Sequence, residues 1–432
     1  MLPRVKDTIK LNKLATFSIK ELLYCQFHML DKTVFVRCNH MDNSLLMLYL
    51  VGISFLLPLH FIGIMQTSMK LSEITTYLDT EISPALQESY DNCGLLVGNP
   101  ELTITGVLIC LDITDKVLDE AGIKKCNLVI SHHPLIFSGI KSLTGRNDTE
   151  RLVIRAITEN IAVYALHTNL DNHYEGVNRF LCDKIGIENA GILRPVPDKL
   201  RKLITFCPTA HADMVREAVF AAGAGQIGNY DSCSYTANGE GTFRALNGAN
   251  PFVGEPWKLH SEPEVRIETI FPAFLENKIV DALKKTHPYE EVAYDIYPLT
   301  NLHQRIGAGM VGMLPEKVDA GEFLTYIKKI LNVGCIRHTD FKNKIIQKVA
   351  VCGGSGSFLI RDAMRCNADI YMTGDIKYHD FFIPENHMIL ADIGHYESEQ
   401  FTKELIYTLL KKKFTTFALF ISGTNTNPVN YL

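Results

Sequence analysis

From Met69 onward, short apolar runs alternate with stretches in which apolar residues recur at helical spacing. Segment 69–82 (MKLSEITTYLDTEI) predicts an amphipathic helix with Ser72 as its cap. Beyond it follow ITGVLICLDI, DKVLDEAGIKKC, NLVIS, TERLVIRAITEN, IAVYAL and GVNRFLCDKIGI. The strand-like members lack in–out alternation, which indicates parallel strands covered on both faces by the intervening helices. The rhythm returns near the C-terminus in IIQKVAVCGG, SFLIRDAMRCN, ADIYMTGD, HMILADIG, SEQFTKELIYTLLKKK and TTFALFIS. Two α/β halves, 69–199 and 300–432, are therefore expected.

Residues 200–299 break the rhythm. KLITFCP precedes the helical ADMVREAVFAAG, and a Gly- and polar-rich stretch follows. VRIETIFP, ENKIVDALKKTHP and EVAYDIYPL then repeat the strand–helix–strand order. This duplication predicts a ferredoxin-like, split βαβ domain inserted between the two halves.

Composition narrows the class. A chain of 432 residues suits two or three domains at ~100–200 residues each. With 47% hydrophobic residues and 21% charged ones it is neither disordered nor fibrous. Its 43 basic and 48 acidic side chains leave no dedicated nucleic-acid-binding surface in evidence. Eleven cysteines, an odd number with no CxxC spacing, read as reduced thiols in a cytoplasmic protein.

Residues 1–68 stand apart. Ser44 to Met65 runs 22 residues without Lys, Arg, Asp or Glu, long enough to span a bilayer. The basic residues lie mostly upstream, so an anchor would export everything that follows it. Export suits neither free thiols nor the metal chemistry below. The expectation is an over-extended reading frame with translation starting at Met69, and membrane anchoring through 44–65 is the alternative.

The chemistry gathers at strand ends. NLVIS runs into His132-His133-Pro134, IAVYAL into His167 and Asp171, and MILADIG into His395 and Glu399. Open α/β sheets bind ligands beyond the carboxyl ends of their strands. Helical i,i+4 spacing places His395 and Glu399 on one face. Imidazoles with carboxylates and no cysteine predict an open divalent-metal site suited to zinc, iron or manganese. Asp375 and His379, after a further strand, are placed for outer-sphere or acid–base duty. Gly353-Gly354-Ser355-Gly356 opens either a phosphate cradle or a tight turn. Trp257 is expected to pack in the insert, and Lys411-Lys412-Lys413 to end a helix in solvent.

The segments MKLSEITTYLDTEISPALQESYDNCGLLVGNP, SHHPLIF, HTNLD, VAVCGGSG, TGDIKYHD, DIGHYESE and TNTNPVNYL resemble the NIF-three-like family. Its members are often labelled GTP cyclohydrolase 1 type 2 homologues. GQIGNYDSCSY, GTFRALNGANPFVGE and HPYEEVAYDIYPL resemble the PII- or CutA-like domain of its longer members. The likeness covers 69–432. It implies a layered α/β metal domain in two halves, with two divalent ions held by His132, His133, Asp171, His395 and Glu399, the last as a bridge. It also implies a toroidal homohexamer, a trimer of dimers. The expected function is metal-dependent hydrolysis of a nucleotide or phosphoester, with His379 or His167 as proton shuttle. A GTP cyclohydrolase and a non-catalytic, metal-dependent regulatory or binding protein are the alternatives.

Overall fold

The computed structural model describes residues 69–341 and 344–432, together with three short strands nearer the N-terminus. Those strands, Cys25–Leu30, Thr33–Cys38 and Leu46–Leu48, pair antiparallel in that order. They belong to a unit of their own, Met1–Thr67. Apart from Leu46–Leu48, the apolar run 44–65 lies outside the described residues. Among the described residues, no helix is long and apolar enough to cross a membrane.

Ser68–Leu432 form the second unit. Its first sheet has the order Leu419–Ile421, Val107–Cys110, Leu128–Ser131, Ala162–Ala165, Gly94–Val97. The first four run parallel and the last antiparallel. The three central strands are buried throughout, which explains their unbroken apolar sequence. Helices Asp115–Ile123 and Asp148–Thr158 cover one face through Leu118 and Val153. Leu71–Glu81 and Thr402–Lys413 cover the other through Leu78, Ile406 and Leu410. Ser72 lies inside the first of these helices and does not cap it. The Glu73 carboxylate does, accepting the Lys70 backbone N–H at 2.8 Å. The expected basic run, Lys411–Lys413, closes the last turn of Thr402–Lys413.

The second sheet has the order Glu188–Pro195, Gly307–Asp319, Ile345–Ser355, Ile370–Gly374, Ile389–Asp392, Arg337–His338. Its third to fifth strands run parallel. Each sheet borrows an edge strand: Glu188–Pro195 precedes the insert yet joins the second sheet, whereas Leu419–Ile421 returns from the C-terminus to the first.

Between them, Leu200–Pro208, Ser234–Phe243, His260–Pro272 and Tyr294–Pro298 build a separate antiparallel sheet. With helices Ala212–Ala221 and Glu276–Thr286 the chain order is βαββαβ, the ferredoxin-like arrangement. Val215, Val219, Ile279 and Leu283 pack one sheet face against Leu203, Ile267 and Phe271. Ser234–Phe243 arises from the Gly- and polar-rich stretch. Most of it is exposed, so it carries no apolar signal. The chain enters and leaves this insert at adjoining points, since Val196 N–H donates to the Ile306 carbonyl at 3.0 Å. Trp257 is largely exposed, on a backbone with φ +67°.

Candidate metal centre

Parallel strands point their carboxyl ends the same way, and both sheets bring those ends to one place. From the first sheet, Val107–Cys110 leads to Asp112, Leu128–Ser131 to His132 and His133, and Ala162–Ala165 to His167 and Asp171. From the second, Ile345–Ser355 carries Gly353 and Gly354, Ile370–Gly374 leads to Asp375, and Ile389–Asp392 to the one-turn helix His395–Glu399. Three sets of side chains able to hold a metal ion result: His132, His133 and His167; His133, His395 and Glu399; His132, Asp171 and Glu399.

Glu399 stands at the junction and is buried. Its Oε2 lies 3.0 Å from His133 Nε2 and 3.1 Å from His395 Nε2. Its Oε1 faces His132 Nε2 at 3.6 Å, and that nitrogen is 3.7 Å from Asp171 Oδ1. One carboxylate thus presents an oxygen to each of two ligand sets.

The rings are aimed by what their other nitrogens hold. His132 Nδ1–H donates to the Leu166 carbonyl at 2.7 Å. His133 Nδ1 meets Asp112 Oδ1 at 2.6 Å, His395 Nδ1 meets Asp375 Oδ2 at 2.7 Å, and His167 Nδ1 meets Asp91 Oδ1 at 2.8 Å. Engaging Nδ1 in this way fixes the tautomer and leaves Nε2 for the centre, as around most metal-binding histidines. Thr426 Oγ1 donates to Asp112 at 2.6 Å, so the C-terminal tail braces the arrangement as well.

Glycine makes room for the carboxylate. A Cβ at Gly354 would stand 2.1 Å from Glu399 Oε1, on a backbone with φ +61°. The amides of this turn are already committed: Gly353 N–H donates to Asn178 Oδ1 at 2.9 Å and Gly354 N–H to Ser398 Oγ at 3.0 Å. The Gly353–Gly356 segment is therefore a close-approach turn. The Gly353 and Gly354 amides have no capacity left for an anion, and at these two positions the tight-turn reading is the one the geometry supports.

The electrostatics follow from burial and pairing. Burial opposes a charge on His133, but Asp112 and Glu399 outweigh it and push its pKa up to about 10. The same contest, with Glu399 and Asp375 as partners, brings His395 to about 9. Burial lowers His132, and burial together with the Glu399 charge holds Asp171 well above the carboxylate range. Burial also works against ionised Glu399, yet the imidazoles of His132, His133 and His395 keep it well below its ordinary value.

His132 Nε2 and Asp171 Oδ1 are buried with no hydrogen-bond partner. Leaving two facing acceptor atoms unsatisfied costs ~1–3 kcal/mol for each group. A cation between them would satisfy both, so the residues present fit a divalent metal ion. His167 closes on His132 and His133, with ring centroids 5.3 and 5.4 Å away. His379 does not join. It sits exposed on the turn Tyr378–Phe382, its ring against Tyr378 and Phe382, outside all three ligand sets.

Sequence reasoning reaches Asp375 but misses Asp112 and Asp91. Asp112 follows a buried strand, the same signal that singles out His132. Asp91 lies in a loop before Gly94–Val97 and offers no local signal.

A cavity of about 530 Å³ opens beside the centre. Asp112, His133, His395, Arg337, Asn427 and Tyr431 contribute to its wall.

Two sheets that meet at their carboxyl edges around a histidine–carboxylate cluster define a layered α/β protein with a candidate metal centre. The Duf34/NIF3 (NGG1p interacting factor 3) family model matches residues 69–428, and the chain belongs to that family. A Bacillus subtilis protein named GTP cyclohydrolase 1 type 2 homolog is 38% identical over 351 residues, covering 79% of this chain and 93% of the relative. A Staphylococcus epidermidis protein of the same name is 34% identical over 367 residues, 84% of this chain and all of the relative. Among solved structures, a Bacillus cereus protein related to NIF3 superposes with a TM-score of 0.74 at 34% identity. It covers 84% of this chain and 100% of its own. A Staphylococcus aureus protein gives 0.67 at 30% identity, over 84% of this chain and 99% of its own.

Proposed function

We propose that this protein is a dinuclear, divalent-metal-dependent hydrolase acting on a nucleotide or another phosphoester. The observation that carries this reading is Glu399, whose two oxygens face two separate ligand sets. His133 and His395 would hold one ion, His132 and Asp171 the other, and Glu399 both. Paired ions supply Lewis acidity and activate water for attack at neutral pH. His167, held at Nδ1 by Asp91, stands ready to take a proton at Nε2. His379, exposed on its turn, is the weaker candidate for that duty.

Substrate size and charge are constrained by the neighbouring cavity, whose volume suits a small molecule of mononucleotide dimensions. Asp112, Asp375, Asp392 and Glu397 line it against the raised imidazoles of His133 and His395 and one guanidinium among the described residues, Arg337, which is itself paired with Asp392. An anionic substrate would meet net repulsion there until the ions are loaded, so substrate binding should depend on metal. The name carried by the relatives makes GTP the first substrate to try. A homohexamer is part of the same reading, and exposed Tyr378 and Phe382 supply apolar surface for contacts between copies.

The test is turnover of a panel of nucleotides, phosphomonoesters and phosphodiesters by protein of measured metal content. Expected is hydrolysis lost on chelation and restored by adding one divalent metal. Guanine-ring opening would select the cyclohydrolase alternative. Protein carrying two ions per chain that turns over nothing in the panel would leave the regulatory alternative standing.

A further inference from the structure

The inserted domain contains a second cavity, of about 600 Å³, on the sheet face that its helices leave open. Its floor is the strand Ser234–Phe243, where Ala237, Gly239 and Gly241 fall on one face at alternate positions. A Cβ at Gly239 would touch nothing within 4 Å, because that position opens into empty space. The walls are aromatic. Tyr289 stands between Phe243 and Phe252, with ring centroids 6.0 and 6.3 Å away, and Phe206 lines the same space. His287 locks this wall from beneath, donating from Nε2 to the Phe206 carbonyl at 2.9 Å and accepting the Tyr289 N–H at 3.1 Å.

Into this apolar space projects one buried carboxylate. Glu264 is 9% exposed, and its Oε1 accepts the Tyr289 hydroxyl proton at 2.9 Å. Its Oε2 lies over Gly241, where a Cβ would come within 2.2 Å, and has no hydrogen-bond partner among the described residues. Glu240, Glu290 and Glu291 add negative charge around the cavity. Among the described residues that line it the one cation is Arg266, engaged 2.9 Å from Glu268. A buried carboxylate with a free oxygen, set among electron-rich ring faces, is complementary to a cation that is itself partly apolar. A hydrated metal ion would gain nothing from the aromatic walls, and a phosphate would be repelled.

We propose that the insert cavity is a binding site for a small organic cation of the alkylammonium type, held by Glu264 and the rings of Phe243, Phe252 and Tyr289. The site belongs wholly to residues 200–298 and is independent of the metal chemistry. It would make the insert a ligand-sensing module.

The experiment uses the full chain and choline as probe, with uncharged 3,3-dimethylbutan-1-ol as its shape-matched control. Calorimetry gives the affinities. Fluorescence of Trp257, the only tryptophan, reports on the site, since its backbone N–H donates to the carbonyl of the cavity-lining Ala245 and so holds the residue beside the cavity. One choline per chain is expected, bound at least roughly tenfold tighter than the alcohol. Glu264→Gln should remove about tenfold of choline affinity and leave the alcohol nearly unchanged. Gly239→Val should narrow the space from its floor and weaken binding of both, with thermal unfolding and metal content as in the parent. Equal affinity for choline and the alcohol would overturn the assignment. So would absence of binding by the parent protein, the result expected if a second copy of the chain covers this sheet face.

Discussion

Replacing Glu399 by Gln keeps the shape of the side chain and removes its charge, which isolates the electrostatic role of the proposed bridge. In the native site both carboxylate oxygens are within 3.6 Å of an imidazole Nε2, so the charge sits at the junction of both ligand sets. A unit negative charge and a dication about 4 Å apart interact by ~8 kcal/mol at an effective dielectric near 20. Gln retains a carbonyl dipole and relieves part of the burial cost, so the net loss should be smaller. Losing one partner of a buried charge pair typically costs ~3–5 kcal/mol. At least one ion should therefore bind about a hundredfold or more weakly. The assay is metal content by elemental analysis after dialysis, followed by competition titration with a chelator of known affinity. His379→Ala is the companion variant and should keep the full load. Two retained ions of unchanged affinity in Glu399→Gln would refute the bridge; emptied sites in His379→Ala would bring that residue into the ligand set.

Three further outcomes are expected. Gly354→Ala should lower metal loading by displacing Glu399, since the new Cβ would lie 2.1 Å from Oε1 on a left-handed backbone; elemental analysis and a thermal scan check it, and full loading with native stability would contradict it. Replacing 199–303 by a short turn should leave the metal domain folded and loaded, because Val196 and Ile306 already pair across the junction; loss of metal in that deletion would show that the insert is structural. The pH response should have opposite signs for two measurements. His133 and His395, raised to about 10 and about 9, stabilise the metal-free fold fully below ~6.5, and that stability fades as pH rises through their folded values. Metal must displace those same protons, so its apparent affinity should climb over that range. Parallel trends in unfolding temperature and metal affinity would contradict this linkage.

Local pattern determined much of this protein. Buried parallel strands declare themselves through unbroken apolar runs, and a polar residue directly after such a run is at a carboxyl edge whatever the rest of the fold does. That reasoning reaches His132, His133, His167, Asp171, Asp375 and His395, and helical spacing adds Glu399. The duplicated strand–helix–strand order likewise marks the insert, although its mostly exposed strand Ser234–Phe243 leaves no hydrophobic trace. What only tertiary structure decided is which of these ends meet. His133 and Glu399 touch across 266 residues of chain, a separation at which periodicity carries no information. The long-range pairing of sheets also selects Asp112 and Asp91 as the partners that aim His133 and His167, and leaves His379 outside. Edge strands exchanged between the halves follow the same logic: Leu419–Ile421 finds its place because Val107–Cys110 offers unpaired backbone there. The Gly353–Gly354 turn owes its meaning to a carboxylate arriving from another strand end, and a sequence records the glycine but not the atom that requires it.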